Sequence, residues 1–268
     1  MLHRPPDNVV RAFGADPDQL LRLPGGQGTS WRAGDLVLKP GEAPLQRWLS
    51  STLRELEPAG LRLAVPVAAA GGAWSVAGWT ATSFVDGQEP DLRRPTSWPK
   101  IVAAGRLFHH ALADAPRPAL LDSRTDPWAV ADRVAWGEQH AQFHPAFDEI
   151  AGRLRAQPDP PGPAQLVHGD LTGNVLLAPG LAPAVIDVSP YWRPALWAEA
   201  VVVADALCFH GADAAALPAA GVAVPDVARA LLFRLATTNA FLAAGRTDID
   251  AAAEARRFTC AAAEIGIS

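Results

Sequence analysis

The spacing of apolar residues changes character about a third of the way along this chain. In the first part, short apolar runs alternate with glycine-rich turns. Residues 8–23 read as a short helical or extended lead-in, and Leu36-Val37-Leu38-Lys39 is an apolar run closing on a lone lysine. Residues 65–67, 73–76 and 79–85 read as strands, punctuated by Gly71-Gly72 and Gly78. One helix interrupts them: Leu45, Trp48, Leu49, Leu53 and Leu56 recur at helical spacing over 43–57. Asp86-Gly87-Gln88-Glu89-Pro90 then makes a turn-rich connector. Beyond it the period is helical. Residues 97–114 set Ile101, Ala104, Leu107, Phe108, Ala111 and Leu112 on one face, and 122–157 opens at Asp126-Pro127 and is rich in aromatic residues. Further helices are expected at 196–209, 226–244 and 248–265, with an alanine-rich connector over 211–224. Strand signals in front and helix signals behind predict an α+β chain in two parts, 1–86 and 87–268.

The exception within the helical part is the stretch 165–187. An apolar run leads into His168-Gly169-Asp170, a tight polar loop (Leu171-Thr172-Gly173) separates Asp170 from Asn174, and a second apolar run follows. Soon after, Ala184-Val185-Ile186 ends in Asp187, and Ser189-Pro190-Tyr191-Trp192-Arg193-Pro194 reads as an aromatic loop. Strand-like flanks would thus hold three oxygen-bearing side chains on connecting loops, a common way to fix reactive groups in space. Oxygen donors of this kind hold hard cations and orient hydroxyl groups, the equipment of phosphoryl transfer. A buried strand followed by a Gly-Asp turn is by itself ordinary loop chemistry. The Asn and the strand-ending Asp are what single the stretch out.

Composition narrows the function classes. The chain has 268 residues, 49% apolar and 19% charged, with a formal net charge of −5. No basic stripe suits nucleic acid, and no polybasic segment suits a membrane surface. Cys208 and Cys260 lack metal-ligand spacing. The first residues lack the apolar core of a signal peptide, and the apolar run 198–209 is broken by Glu199 and Asp205 and too short to span a bilayer. A soluble cytoplasmic protein is expected.

The 165–187 stretch resembles the catalytic and metal-binding loops of the aminoglycoside phosphotransferase-like branch of the protein-kinase-like superfamily, in which the loop begins His-Gly-Asp. The resemblance implies a bilobal protein-kinase-like fold with a small β-rich N-terminal lobe and a larger, mainly helical C-terminal lobe. It implies ATP and Mg2+ as cofactors, Asp170 as the base that accepts the proton of the attacking hydroxyl, and Asn174 and Asp187 as the magnesium ligands. The glycine-rich turn with Gly25, Gly26, Gly28 and Ser30 would cover the phosphates, Lys39 would face them from the next strand, and backbone groups around Ser83 and Val85 would meet the adenine edge. The piece Gly105–His109 is similar to the Leu-His helix of the same family, with His109 and His110 as packing or surface residues.

The chain departs from the kinase pattern in three places. That pattern puts four residues between the Asp and the Asn, whereas three stand here, a shortening that Gly173 suits. Asp187-Val188-Ser189 stands where protein kinases have Asp-Phe-Gly. The helix expected to supply a glutamate for Lys39 offers Gln46 and Arg47 in its middle, with Glu42, Glu55 and Glu57 at its ends, so the partner stays unassigned.

The leading expectation is an ATP-dependent small-molecule O-phosphotransferase, and the alternative is a catalytically weak or inactive kinase-like nucleotide-binding protein. A hydrolase using a metal-bound water at Asp170 and His168 would call for more clustered ligands. From residue 90 onward nineteen acids face fifteen bases, a small excess for a polycationic acceptor, while Trp128, Trp136, Tyr191 and Trp192 offer stacking surfaces. The partner expected is therefore a neutral or weakly charged hydroxylated small molecule.

Overall fold

The structure is a computed structural model that describes residues 4–24, 28–54, 56 and 60–268. In chain order the elements are α1 (Asp7–Ala12), β1 (Leu20–Arg22), β2 (Trp31–Ala33), β3 (Leu36–Pro40), α2 (Ala43–Arg54), β4 (Arg62–Leu63), β5 (Pro66–Val67), β6 (Trp79–Ser83) and α3 (Ser97–Ala111). There follow α4 (Pro127–Ala135), α5 (Asp148–Arg155), β7 (Gln165–His168), β8 (Val175–Leu176), β9 (Ala184–Val185), β10 (Pro190–Arg193), α6 (Ala195–Phe209), α7 (Ala216–Ala220), α8 (Val224–Ala243) and α9 (Ala251–Glu264). Contacts divide the chain into two units: residues up to Glu89 together with Gly173–Val188, and Pro90–Thr172 together with Ser189–Ser268. The first is rich in strands and the second mainly helical, so the α+β expectation holds.

In the first unit a sheet of order β1-β2-β3-β6-β5 is antiparallel throughout. Alternation along β3 decides what each face does. Leu38 is fully buried in a cluster with Val9 and Val10 of α1, with Phe13 just past its end and with Trp79 and Ala81, and Leu36 packs against the same cluster. Val37 and Lys39, one residue out of phase, therefore point to the opposite face. In register, Lys39 lies across from Thr80, whose hydroxyl donates to the Lys39 carbonyl at 3.2 Å.

Two details of this unit differ from expectation. The stretch 73–76 is not a strand: Ala69 N–H donates to Ala73 C=O at 2.8 Å in a turn, and only Val76 bridges back to Trp79. Four mostly apolar residues after two glycines satisfy the strand pattern locally, but beyond that single bridge no ladder forms along them. Conversely, β4 pairs in parallel with β9, Arg62 opposite Ala184, and β9 pairs antiparallel with β8. Two-residue strands carry no periodicity from which such a pairing could be read.

In the second unit α6 is buried almost along its whole length, from Trp197 to Ala206, as a helix apolar on nearly every side should be. Its two acids are neutralised by arginines of neighbouring helices. Glu199 meets Arg106 of α3 at 2.7 Å, and Asp205 meets Arg234 of α8 at 2.6 Å. Among the described residues no helix is long and apolar enough to cross a membrane. The aromatic loop expected at 189–194 is instead strand β10, antiparallel to β7 with Tyr191 opposite Val167. The helical stretch 122–157 is two helices, since Gly137 at φ +71° ends α4 just past its C-terminus and Pro145 starts a new turn before α5.

Candidate active site

The first unit contains a pocket on the Lys39 face of its sheet. Its lining includes apolar Val37, Ala64, Leu176 and Ile186 and polar Lys39, Asn174 and Asp187. Register explains the meeting of the last two: Val175 pairs with Val185, and Ile186 N–H donates to Asn174 C=O at 3.0 Å, so Asn174 and Asp187 leave the β8–β9 ladder side by side. Asp187 sits at φ +48°, a left-handed conformation that asparagine and aspartate tolerate better than most residues. A side chain held at such a backbone position is a common mark of a functional site. Its carboxylate pairs with the Lys39 ammonium. Ammonium and carboxylate neutralise one another within the pocket.

The remaining nucleotide-site expectations divide as follows. Ser30, Ser83 and Val85 line the same pocket. The N–H groups of Ser83 and Phe84 are already engaged, donating to Val65 C=O at 2.8 Å and Asp35 C=O at 2.7 Å. Gly28 has φ +67°, as a turn residue of the β1–β2 hairpin requires, while Gly25 and Gly26 lie outside the described residues. Glu55 and Glu57 lie outside them too. Among the described residues the partner of Lys39 is Asp187 and no glutamate of α2. Glu89, read from sequence only as part of a connector, also lines the pocket.

Asp170 belongs to the second unit. Arg234 Nη2 donates to its Oδ1 at 2.8 Å, and the same guanidinium makes two bonds to Asp205, at 2.7 and 2.6 Å. Asp205 and Arg234 were not foreseen. Their signal was present, for Arg234 is the one charge in the apolar run 230–245 and Asp205 lies within another, and buried charges demand partners.

Both other residues of the His-Gly-Asp motif have a physical reason. His168 is fully buried, and its Nδ1 accepts the N–H groups of Asp170 at 3.2 Å and Ser189 at 3.3 Å, tying two loop segments together. That nitrogen is committed to the backbone, and the described residues contain no cluster of three His, Cys, Asp or Glu side chains suited to a metal. At Gly169 a β-carbon would come within 2.4 Å of Tyr191 Cδ2. Tyr191 cannot yield, because its ring packs edge-on against Trp197 and Phe233. At 4% exposure it is a core residue and no stacking surface for an acceptor. Gly173, at φ +80°, turns the shortened loop in a conformation that costs glycine least.

His109, buried on α3, accepts the His168 N–H on Nε2 at 3.2 Å, whereas His110 is exposed. Burial, reinforced by the neighbouring His168, pushes the His109 pKa down to about 3. The fold therefore holds a neutral imidazole, while the unfolded chain binds a proton below about pH 6.5. Stability from this group is complete above that value and is lost as pH falls toward 3, by at most about 1.4 kcal/mol per pH unit. Urea unfolding is expected to show a shallower loss between pH 6.5 and 5 in His109→Gln, whose amide oxygen can still accept the His168 N–H. Equal slopes in the two proteins would contradict the assignment.

Comparison with known proteins bears on the family and the fold. The Phosphotransferase enzyme family matches residues 29–189. No curated protein sequence matches the chain. Among solved structures, an aminoglycoside phosphotransferase from Alicyclobacillus acidocaldarius subsp. acidocaldarius DSM 446 is 15% identical at a TM-score of 0.62, covering 99% of this chain and 94% of its own. A choline/ethanolamine kinase family protein from Mesorhizobium loti is 20% identical at 0.58, covering 96% and 93%. An amicoumacin kinase in complex with AMP-PNP, Ca2+ and Ami is 14% identical at 0.60, covering 96% and 91%.

Proposed function

The chain belongs to the phosphotransferase enzyme family, and from that premise we propose that it is an ATP-dependent O-phosphotransferase acting on a hydroxylated small molecule. The observation that supports this reading is that Lys39, Asn174 and Asp187 line one pocket together with apolar residues, Lys39 and Asp187 as an ion pair. The nucleotide falls to residues 1–86 together with Asn174 and Asp187, and residues 87–268 supply the base and the acceptor surfaces. The apolar lining takes the adenine, with the backbone at Val85 along its edge, and Lys39 gives a point charge to phosphate oxygens. Asn174 and Asp187 are hard oxygen donors suited to magnesium, which keeps several waters and leans on one or two protein ligands plus phosphates. When bound, it would neutralise charge on the phosphates. Asp170 orients the acceptor hydroxyl and takes its proton as the oxygen attacks the γ-phosphorus and the bond to ADP breaks.

The acceptor is best read as neutral or weakly charged. In the second unit a pocket beside Arg234 is lined by Thr237, Thr238, Phe209 and Phe241, along with four acids. Each acid is already committed. Asp205 pairs with Arg234 and Asp248 with Arg246, both at 2.6 Å, Glu254 meets Arg257 at 3.3 Å, and Asp250 caps α9 through the N–H groups of Ala252 and Ala253. A polycation would find little uncompensated negative charge there. Phe209, 46% exposed, offers a stacking face instead. Acceptor-dependent ADP formation across a panel of sugars, aromatic alcohols and aminoglycosides tests both halves of the proposal. Turnover is expected within the first two groups. An aminoglycoside turned over with kcat/KM of about 10⁴ M⁻¹s⁻¹ or more would refute the acceptor class. Nucleotide binding with no ADP formation under any condition would favour the non-catalytic alternative.

A further inference from the structure

Arg234 has no part in the chemistry above, yet it is placed as if it governed the base. It projects from α8, a 20-residue helix, with its side chain 13% exposed, against 6% for Asp205 and 42% for Asp170. Its Nε and Nη2 grip the two oxygens of Asp205 at 2.7 and 2.6 Å, the bidentate fork that fixes a guanidinium in position and orientation. With the plane locked, the further bond from Nη2 to Asp170 Oδ1 at 2.8 Å has a fixed direction. Asp205 alone would neutralise Arg234. The bond to a second, half-exposed carboxylate on a loop adds nothing to that neutralisation. What it adds is a tether between a loop side chain and two packed helices, α6 and α8.

We propose that Arg234, clamped by Asp205, is a positioning residue that holds the Asp170 carboxylate in the orientation from which it accepts the acceptor's proton. The inference rests on the transferase reading. Arg234 itself moves no proton, since a guanidinium stays charged at any working pH. Its role is to fix the direction of the Asp170 carboxylate toward the acceptor, where a displacement of an ångström costs about a hundredfold in rate. Lysine cannot substitute, because an ammonium lacks the planar fork that reaches two carboxylates in set directions.

Removing Arg234 alone would strand Asp205 as a buried, unpaired charge and endanger the fold. The test therefore uses the full chain carrying Arg234→Met together with Asp205→Asn, which removes both charges at once, after thermal melting has established that it folds. ADP release from MgATP with water as acceptor is measured first. The expected result is a fall in kcat of roughly tenfold to a hundredfold, with KM for ATP within about twofold of the parent, because the nucleotide residues are untouched. A merely structural pair would lower melting temperature and leave kcat near the parent value, which would overturn the proposal. A crystal structure of the same variant gives a readout independent of turnover. The Asp170 carboxylate should leave its position while the His168–Asp170 backbone stays in place, and an unmoved carboxylate would refute the positioning role. If the parent binds ATP and releases no ADP with water or with any acceptor of the panel, the transferase reading fails by itself, and the carboxylate position in the variant still decides this one.

Discussion

Asp170→Asn is expected to lower acceptor-dependent ADP formation by about a hundredfold to ten-thousandfold, the usual contribution of a general base. The substitution is selective. An asparagine keeps the Oδ1 that accepts from Arg234, so the 2.8 Å tether can persist, and it removes only the charge and the proton affinity. Nucleotide affinity should barely change, since the pocket that holds Lys39, Asn174 and Asp187 is built without Asp170. The measurement is a pair of titrations: ATP affinity by calorimetry, and steady-state transfer with an acceptor taken from the panel. Unchanged affinity with collapsed turnover identifies a group whose interaction matters only in the transition state. Transfer near the parent rate would show that Asp170 is a structural carboxylate and that the proton goes elsewhere.

Asp187→Ala is expected to abolish the magnesium-dependent part of the stabilisation that ATP confers. A ligand at a hundred times its dissociation constant stabilises a protein by about 2.7 kcal/mol. For a chain of this size that is a rise of roughly 5–10 °C in melting temperature. The variant loses the carboxylate beside Asn174 and frees the Lys39 ammonium, so ATP without magnesium should bind no worse than before. It also places an alanine at φ +48°, which lowers the melting temperature of the ligand-free protein. Each protein is therefore compared with itself, with and without magnesium, and that loss cancels. A magnesium-dependent shift of parental size in the variant would remove Asp187 from the metal site.

The two variants probe features that were legible to different degrees before the fold was seen. Asp170, Asn174 and Asp187 stand out because each follows or precedes a short apolar run, and a resemblance to known catalytic loops rests on that spacing. Their local reasons were not visible. Nothing in the spacing says that one nitrogen of His168 accepts two N–H groups, or that Gly169 is glycine because Tyr191 lies against it. Both facts depend on β10 pairing with β7, a partnership between segments about twenty residues apart. Read alone, Ser189–Pro194 is a proline-flanked aromatic loop. Its extended backbone becomes a strand only because β7 offers an edge to it.

What the amino-acid sequence determined by itself was whatever depends on neighbours a few residues away. The alternation along β3 turns Lys39 to the face opposite Leu38, the helical period marks α3, α6, α8 and α9 nearly to their ends, and an α+β chain follows from their order. The tertiary structure decided everything set by partners far along the chain. It joined Arg62–Leu63 to Ala184–Val185, brought Gly173–Val188 into the first unit, drew Tyr191 into the core, and tied Arg234 to Asp170 across 64 positions. The physical reason is that periodicity records which face of an element meets a core and carries no information about which element lies on the other side. A two-residue strand or a lone arginine in an apolar helix announces that a partner is needed, and only the packed chain supplies its identity.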